Sequence, residues 1–325
     1  MKQPVLLNKN RLFFLIFFDF TVENTNFVAS NFNTNMIYSK KNIITLCALL
    51  LFLSVVKAQE ENDWIDKIKL MTYSPRYFGP NAFPMPELRS GRINKKWEIE
   101  IRGENHFYPG DCTKDIFGRL FIPIADGRAG FEVSGVAWEY YNMKPATVEE
   151  RHAAGRYWEQ GVRGDFVFNS FYQLPKWEKV DIMSEIALKT ASGKRLADAR
   201  YTDAASYWLH INAGRDIFQS ADSSLTVRLH GLLGFYCWMT NNLVHRQNDA
   251  PLYSFGIYAK RYNWSIQADI AGFHGYRHDG DCPMIFRSKL NYEFKEFMFS
   301  LGYRYGLNDY FYHTISLAVT KRFSL

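Results

Sequence analysis

After residue 60 this chain contains no run of the roughly 18 to 20 apolar residues that a membrane-crossing helix requires, so any insertion into a bilayer must be as β-structure. Charge of one sign is also missing where a nucleic acid would need it. The net charge is +6, but residues 1–58 hold six Lys/Arg against two acids, and the remainder carries only about +2, with no concentrated basic stripe. No fixed-period repeat is visible, which disfavours a propeller or a solenoid. Cysteine is scarce, four in 325 residues, and none of the eight histidines is followed two positions later by serine. That second absence bears on catalysis, because a nucleophile and its base on one strand need same-face spacing. No motif calls for a cofactor.

What stands at the front reads as targeting. Met36 to Lys41 is a basic leader, Ile43 to Val56 is an apolar run, and Val56-Lys57-Ala58 offers small residues before Gln59, so residues 36–58 are expected to be a signal peptide. Residues 1–35 lie upstream of it and are read as an extension or a mis-assigned start, with Met36 as the true first residue. Cys47 would leave with the signal. Cys112, Cys237 and Cys282 remain, an odd count that cannot pair fully. Cys112 and Cys282 sit in predicted loops and could form a disulfide in an oxidising compartment; unpaired thiols are the alternative.

Residues 59–94 are rich in proline (Pro75, Pro80, Pro84, Pro86) and end at Arg89-Ser90-Gly91-Arg92. Such a segment is extended and cannot occupy a central strand. It is expected to lie beside a barrel mouth, to fold into a lumen as a plug anchored by Trp64, Tyr73, Tyr77, Phe78 and Phe83, or to stay loosely ordered.

Residues 95–325 alternate with the period of a β-strand. About twelve candidate strands fall near 95–107, 116–124, 130–142, 160–172, 177–190, 204–214, 222–236, 252–261, 264–272, 283–294, 296–305 and 310–323, the lengths expected of membrane strands. In 177–190, Val180, Ile182, Ile186 and Leu188 oppose Asp181, Glu185 and Lys189. The weakest is 116–124, where Pro123 must stand at an end or a bulge. Short joins follow the even strands and longer ones the odd, with exceptions at the sixth and eleventh, as an antiparallel barrel with one tight-turn rim would give. About twelve strands leave a lumen too wide for an apolar lining, so the charged face is placed inward and the apolar face in lipid. Aromatic pairs near strand ends, among them Trp138/Tyr140/Tyr141, Phe171/Tyr172, Tyr236/Trp238 and Tyr262/Trp264, read as interfacial girdles.

The lumen is then expected to receive Arg102, Glu104, Arg119, Arg163, Asp165, Glu185, Arg228, His230, Asp269, Arg287, Lys289 and Arg304, alongside further charges such as Glu98, Asp181 and Arg322. With both signs mixed, these residues form either a selectivity lining or a salt-bridge network that closes a narrow barrel. The loop carrying His274, His278, Asp279 and Asp281 could bind a metal, though polar glycine-rich loops usually hold such residues to turn and stay solvated. A cross-strand trio of His210, Ser206 and Asp269 is the remaining catalytic arrangement, and an enzymatic role ranks behind the non-enzymatic ones.

The terminal strand, with His313, Ile315, Leu317, Val319 and Phe323 on one face, resembles the closing strand of small porin-like outer-membrane β-barrels of Gram-negative bacteria. The leader ending Val-Lys-Ala and the Asn, Lys and Tyr bias look like those of the Bacteroidota. The resemblance covers residues 59–325 and implies an all-β, antiparallel up-and-down transmembrane barrel. It also implies residence in outer-membrane lipid and delivery by the barrel-assembly machinery, with Phe323 as the recognised aromatic although Leu325 takes the last position. Three functions are compatible: a narrow channel for small polar solutes, a plugged structural barrel that binds other outer-membrane proteins, and a lipid-modifying enzyme.

Overall fold

Alternation carries over directly into backbone pairing. The computed structural model describes residues 69–154, 160–276 and 279–324; residues 1–68, with the signal segment, Cys47 and Trp64, and also His278, lie outside them. Strands β1 (Trp97–Tyr108), β2 (Asp111–Ile124), β3 (Ala129–Met143), β4 (Gln160–Val162), β5 (Phe166–Trp177), β6 (Val180–Lys189) and β7 (Ser206–Gln219) form the first half. β8 (Leu225–Met239), β9 (Gln247–Arg261), β10 (Trp264–Phe273), β11 (Met284–Phe294), β12 (Phe297–Asn308) and β13 (His313–Phe323) complete the wall. A short helix, α1 (Pro145–Glu150), lies between β3 and β4.

All pairings are antiparallel between sequence neighbours, and β13 returns to β1 from Trp97↔Phe323 to Phe107↔His313, so the sheet closes on itself. β4 and β5 both pair with β3, over Tyr141–Glu139 and Gly135–Ala129 respectively. They are two pieces of one wall strand, and the barrel has twelve. Closure through β1–β13 and β2–β3 pairs the wall strands around the ring, and the short β4 is paired on its β3 side.

One rim is made of tight turns, where Glu178, Ser223, Tyr262 and Lys295 each take a φ between 50° and 55°. The opposite rim carries the longer connections, including α1 and residues 190–205, 240–246 and 274–283. The first join departs from the expected pattern: only Pro109 and Gly110 separate β1 from β2, because β2 starts at Asp111 rather than near 116. Cys112 therefore lies in β2, exposed and with a free thiol, so the Cys112–Cys282 bridge is not formed. β9 likewise starts before the expected Leu252 and includes Pro251. The Pro251 carbonyl accepts from the His274 amide past the last β10 pair, Leu252↔Phe273, so the missing proline N–H also falls beyond that ladder. Pro123 stands one residue from the end of β2, as its chemistry requires.

The outer wall is apolar: Ile101, Ile186, Leu233, Phe255 and Leu317 are all at least 60% exposed, a surface suited to lipid rather than water. The inner face carries Glu98, Glu100, Glu104, Glu185 and Arg228, each under 9% exposed.

Candidate functional site

The lumen is occupied by the chain's own leader. Residues 71–93 run from the long-loop rim to the tight-turn rim, and their main chain is held by wall side chains. Asn241 donates to the Met71 carbonyl at 2.7 Å, Trp238 Nε1 to that of Tyr73 at 3.1 Å, and the Tyr310 hydroxyl to that of Pro80 at 3.3 Å. Deeper in, Arg287 donates to Pro86 O (2.9 Å), Gln267 to Leu88 O (3.1 Å), Arg228 to Ser90 O (2.8 Å) and Gln173 to Gly91 O (2.9 Å). The prolines make this workable. An extended segment inside a barrel has no strand to pair with, and each proline removes a donor that would otherwise be buried unpaired. Gly91, at φ 80°, turns the chain where a Cβ would overlap the Asp181 carbonyl.

Toward the long-loop rim the leader is clasped by apolar groups. Tyr73, Phe78 and Phe83 are buried and stack edge-on in sequence, with Phe83 reaching Trp238 at a centroid distance of 5.7 Å and Trp238 reaching Phe273 at 5.3 Å. Tyr236 joins the same cluster. The expected girdle is therefore corrected in part. Trp138, Tyr140, Tyr172, Tyr262 and Trp264 do face outward, but Tyr141, Phe171, Tyr236 and Trp238 face the lumen. Tyr236 and Trp238 share the parity of Arg228 and His230, a signal that was readable in the sequence.

Below the aromatic cluster lies a charged network. Arg119 donates to Glu98 (2.7 Å), Glu100 (3.1 Å) and Glu132 (3.0 Å) at once. Arg287 pairs with Asp269 and Lys189 with Asp165, at 2.6 and 2.7 Å. Arg228 meets Asp181 at 2.7 Å, Arg304 meets Glu104 at 3.2 Å, and Arg322 bridges Glu98 and Glu293. The leader takes part: Arg89 reaches Glu132 (2.8 Å) and Glu185 (3.3 Å), and Arg92 reaches Asp181 (2.6 Å) and Asp216 (2.7 Å). Between leader and wall remains a cavity of about 240 Å³, lined by Glu87, Arg102, Arg119, Asp165, Asp269 and Lys289 among others.

Of the lumen residues expected from sequence, Arg102, Glu104, Arg119, Asp165, Glu185, Asp269, Arg287, Lys289 and Arg304 line this cavity, and Arg228 and His230 are buried on the same inner face. Arg163 is not among the cavity's lining; it sits half-buried in the break between β4 and β5, where strand alternation lapses. The leader residues Asn81, Glu87 and Arg89 and the wall residues Glu132, Glu139 and Asn212 were missed. Glu132 and Asn212 had the right parity, whereas the leader's partners have no periodic signal.

The loop metal candidates do not converge among the described residues: His274 is exposed, while buried Asp281 accepts from Asn248. Asp281 titrates upward, to about 8, through its burial and the neighbouring Asp279. The described group that does converge is Glu104, His106 and Asp115. Its members are already engaged, His106 with Asp115 (2.7 Å) and Thr314 (2.8 Å), and Glu104 with Arg304. His210 is engaged with Asn212 and Glu185, and Asp269 with Arg287 and Ser254, so the trio of His210, Ser206 and Asp269 is not assembled.

No protein-family description and no curated protein matches the sequence. Among solved structures, an outer-membrane channel from Pseudomonas putida F1 aligns at 10% identity, covering 82% of this chain and 100% of its own, with a TM-score of 0.48. The transport unit of the autotransporter AIDA-I from Escherichia coli aligns at 11% identity over 78% of this chain and 100% of its own (TM-score 0.41). The KdgM porin aligns at 12% identity over 69% and 99% (TM-score 0.40). At such values the neighbours assign neither a family nor a solute.

Proposed function

We propose that the protein is an outer-membrane β-barrel pore that its own N-terminal leader holds closed. The observation that carries this reading is the leader in the lumen, gripped by carbonyl hydrogen bonds along its length and by ion pairs at Arg89 and Arg92. The apolar outer wall supports placement in a bilayer, and the tight-turn rim, by the usual barrel asymmetry, faces the periplasm. On this reading the signal segment exports the chain, the assembly machinery inserts it, and small polar solutes pass only when the leader shifts. The experiment is single-channel recording in a planar bilayer with and without Glu60–Arg92. The full chain should be silent and the shortened chain should show discrete steps. Steady steps from the full chain would refute closure by the leader. A shortened chain that migrates as a folded barrel yet stays silent would refute a pore closed by the leader and favour the second reading, a structural barrel that docks with other outer-membrane proteins.

A further inference from the structure

The way the wall holds the leader is the way a binding site holds a peptide. Within residues 84–92 the main chain is read by side chains from several strands. Arg287 on β11 donates to the Pro86 carbonyl, Gln267 on β10 to Leu88, and Arg228 on β8 to Ser90, while Asn212 on β7 accepts from the Arg89 amide at 3.0 Å. Two leader side chains of opposite charge, two positions apart, meet opposite wall charges. Glu87 faces Arg102 at 3.5 Å, and Arg89 inserts between Glu132 and Glu185. Room is made in the wall as well: a Cβ at Gly256 would strike the Leu88 side chain, and one at Gly214 would strike the Ser90 carbonyl. Arg228, Asn212, Glu132 and Glu185 are all buried, so these contacts form a built site rather than a surface adhesion.

We propose that the lumen is a receptor for a short extended peptide bearing an acid and a guanidinium two positions apart, and that residues 84–92 occupy it as a covalently attached stand-in. This rests on the leader-closed pore reading and names its ligand class. Backbone carbonyls set affinity and the two charges set orientation, the division of labour seen when proteins bind extended peptides. A tethered segment acts at an effective concentration in the millimolar range, so a free peptide competes poorly with the native leader and well with a weakened one.

The test uses the full chain with Glu87→Lys and Arg89→Glu, which sets the leader's charges against the wall, and a synthetic peptide of residues 84–92. The variant should show opening events that the wild-type chain lacks, and the peptide should suppress them at a concentration at least tenfold below that needed by a charge-reversed peptide. A fluorescent copy of the peptide should bind the variant at least tenfold more tightly than the wild type. Equal block by both peptides, or no block of an open variant, would overturn the peptide site while leaving leader closure standing. Should the variant migrate as a folded barrel and remain silent, the pore reading fails, and the fluorescent peptide alone decides: selective binding upholds the site and its absence refutes it.

Discussion

At the scale of single residues, the lumen's charges are held by mutual pairing rather than by solvent. Arg119 is the clearest case, a guanidinium whose donors satisfy Glu98, Glu100 and Glu132 from β1 and β3. Removing one partner of a buried charge cluster leaves the others uncompensated, at a cost of about 3–5 kcal/mol. Arg119→Met should therefore lower stability by about that amount, measured as the denaturant midpoint at which the folded gel form disappears; a change inside error would mean the cluster is solvated and the lumen wet. Asp281 behaves differently, because its burial beside Asp279 raises its titration to about 8. The folded state then binds a proton that the unfolded state has already released above its ordinary value of 3.8, so the loop loses stability as pH rises from there through about 8. Amide exchange in residues 274–283 should be faster at pH 9 than at pH 6 after correction for intrinsic rates, and Asp281→Asn should abolish the difference. An unchanged difference in that variant would place its origin elsewhere.

At the scale of elements, strands were legible and their irregularities were not. Each of the twelve wall strands overlaps a stretch that alternation marked, because a strand between lipid and a polar lumen must alternate, while β2, β7 and β9 run several residues beyond it. The misses have local causes. Beside the Ile116/Phe117 register shift, an extra residue at Ala137 in β3 resets parity, sending Trp138 outward and Glu139 and Tyr141 inward. No periodic signal announces such a bulge. The early start of β2 and the survival of β9 through Pro251 depend on what the neighbouring strand does, which one segment's sequence does not record. The leader's plug role was one of several readings, since its contacts are irregular and mostly through carbonyls that every residue possesses. The closing strand is the opposite case: its pairing back to Trp97 follows from closure, and Phe323 stacks on Trp97 at 6.1 Å. Phe323→Ala, or loss of the last three residues, should block assembly in the outer membrane while export continues, read by fractionation and heat-dependent gel mobility. Normal insertion of either variant would remove Phe323 from the assembly signal.

At the scale of the whole molecule, the barrel solves two problems with one segment. Twelve strands enclose more space than their own side chains can fill, and the proline-rich leader fills it, aromatic at the long-loop end and charged below. Beside the leader lies a cavity of about 240 Å³. The mixed charges of the inner face form a network of ion pairs that includes the leader's own arginines. The central claim is that the leader resides in the lumen of the assembled protein, and amide hydrogen exchange on the unmodified chain in membranes tests it most directly. Gly79 and Ile93 donate amide hydrogen bonds at either end of the segment and Arg89 within it, to Ala199, Gln173 and Asn212. Peptides spanning residues 78–93 should exchange as slowly as those from β8 and β10. Complete exchange of that segment at the earliest time point, with the strands still protected, would contradict a leader-filled barrel.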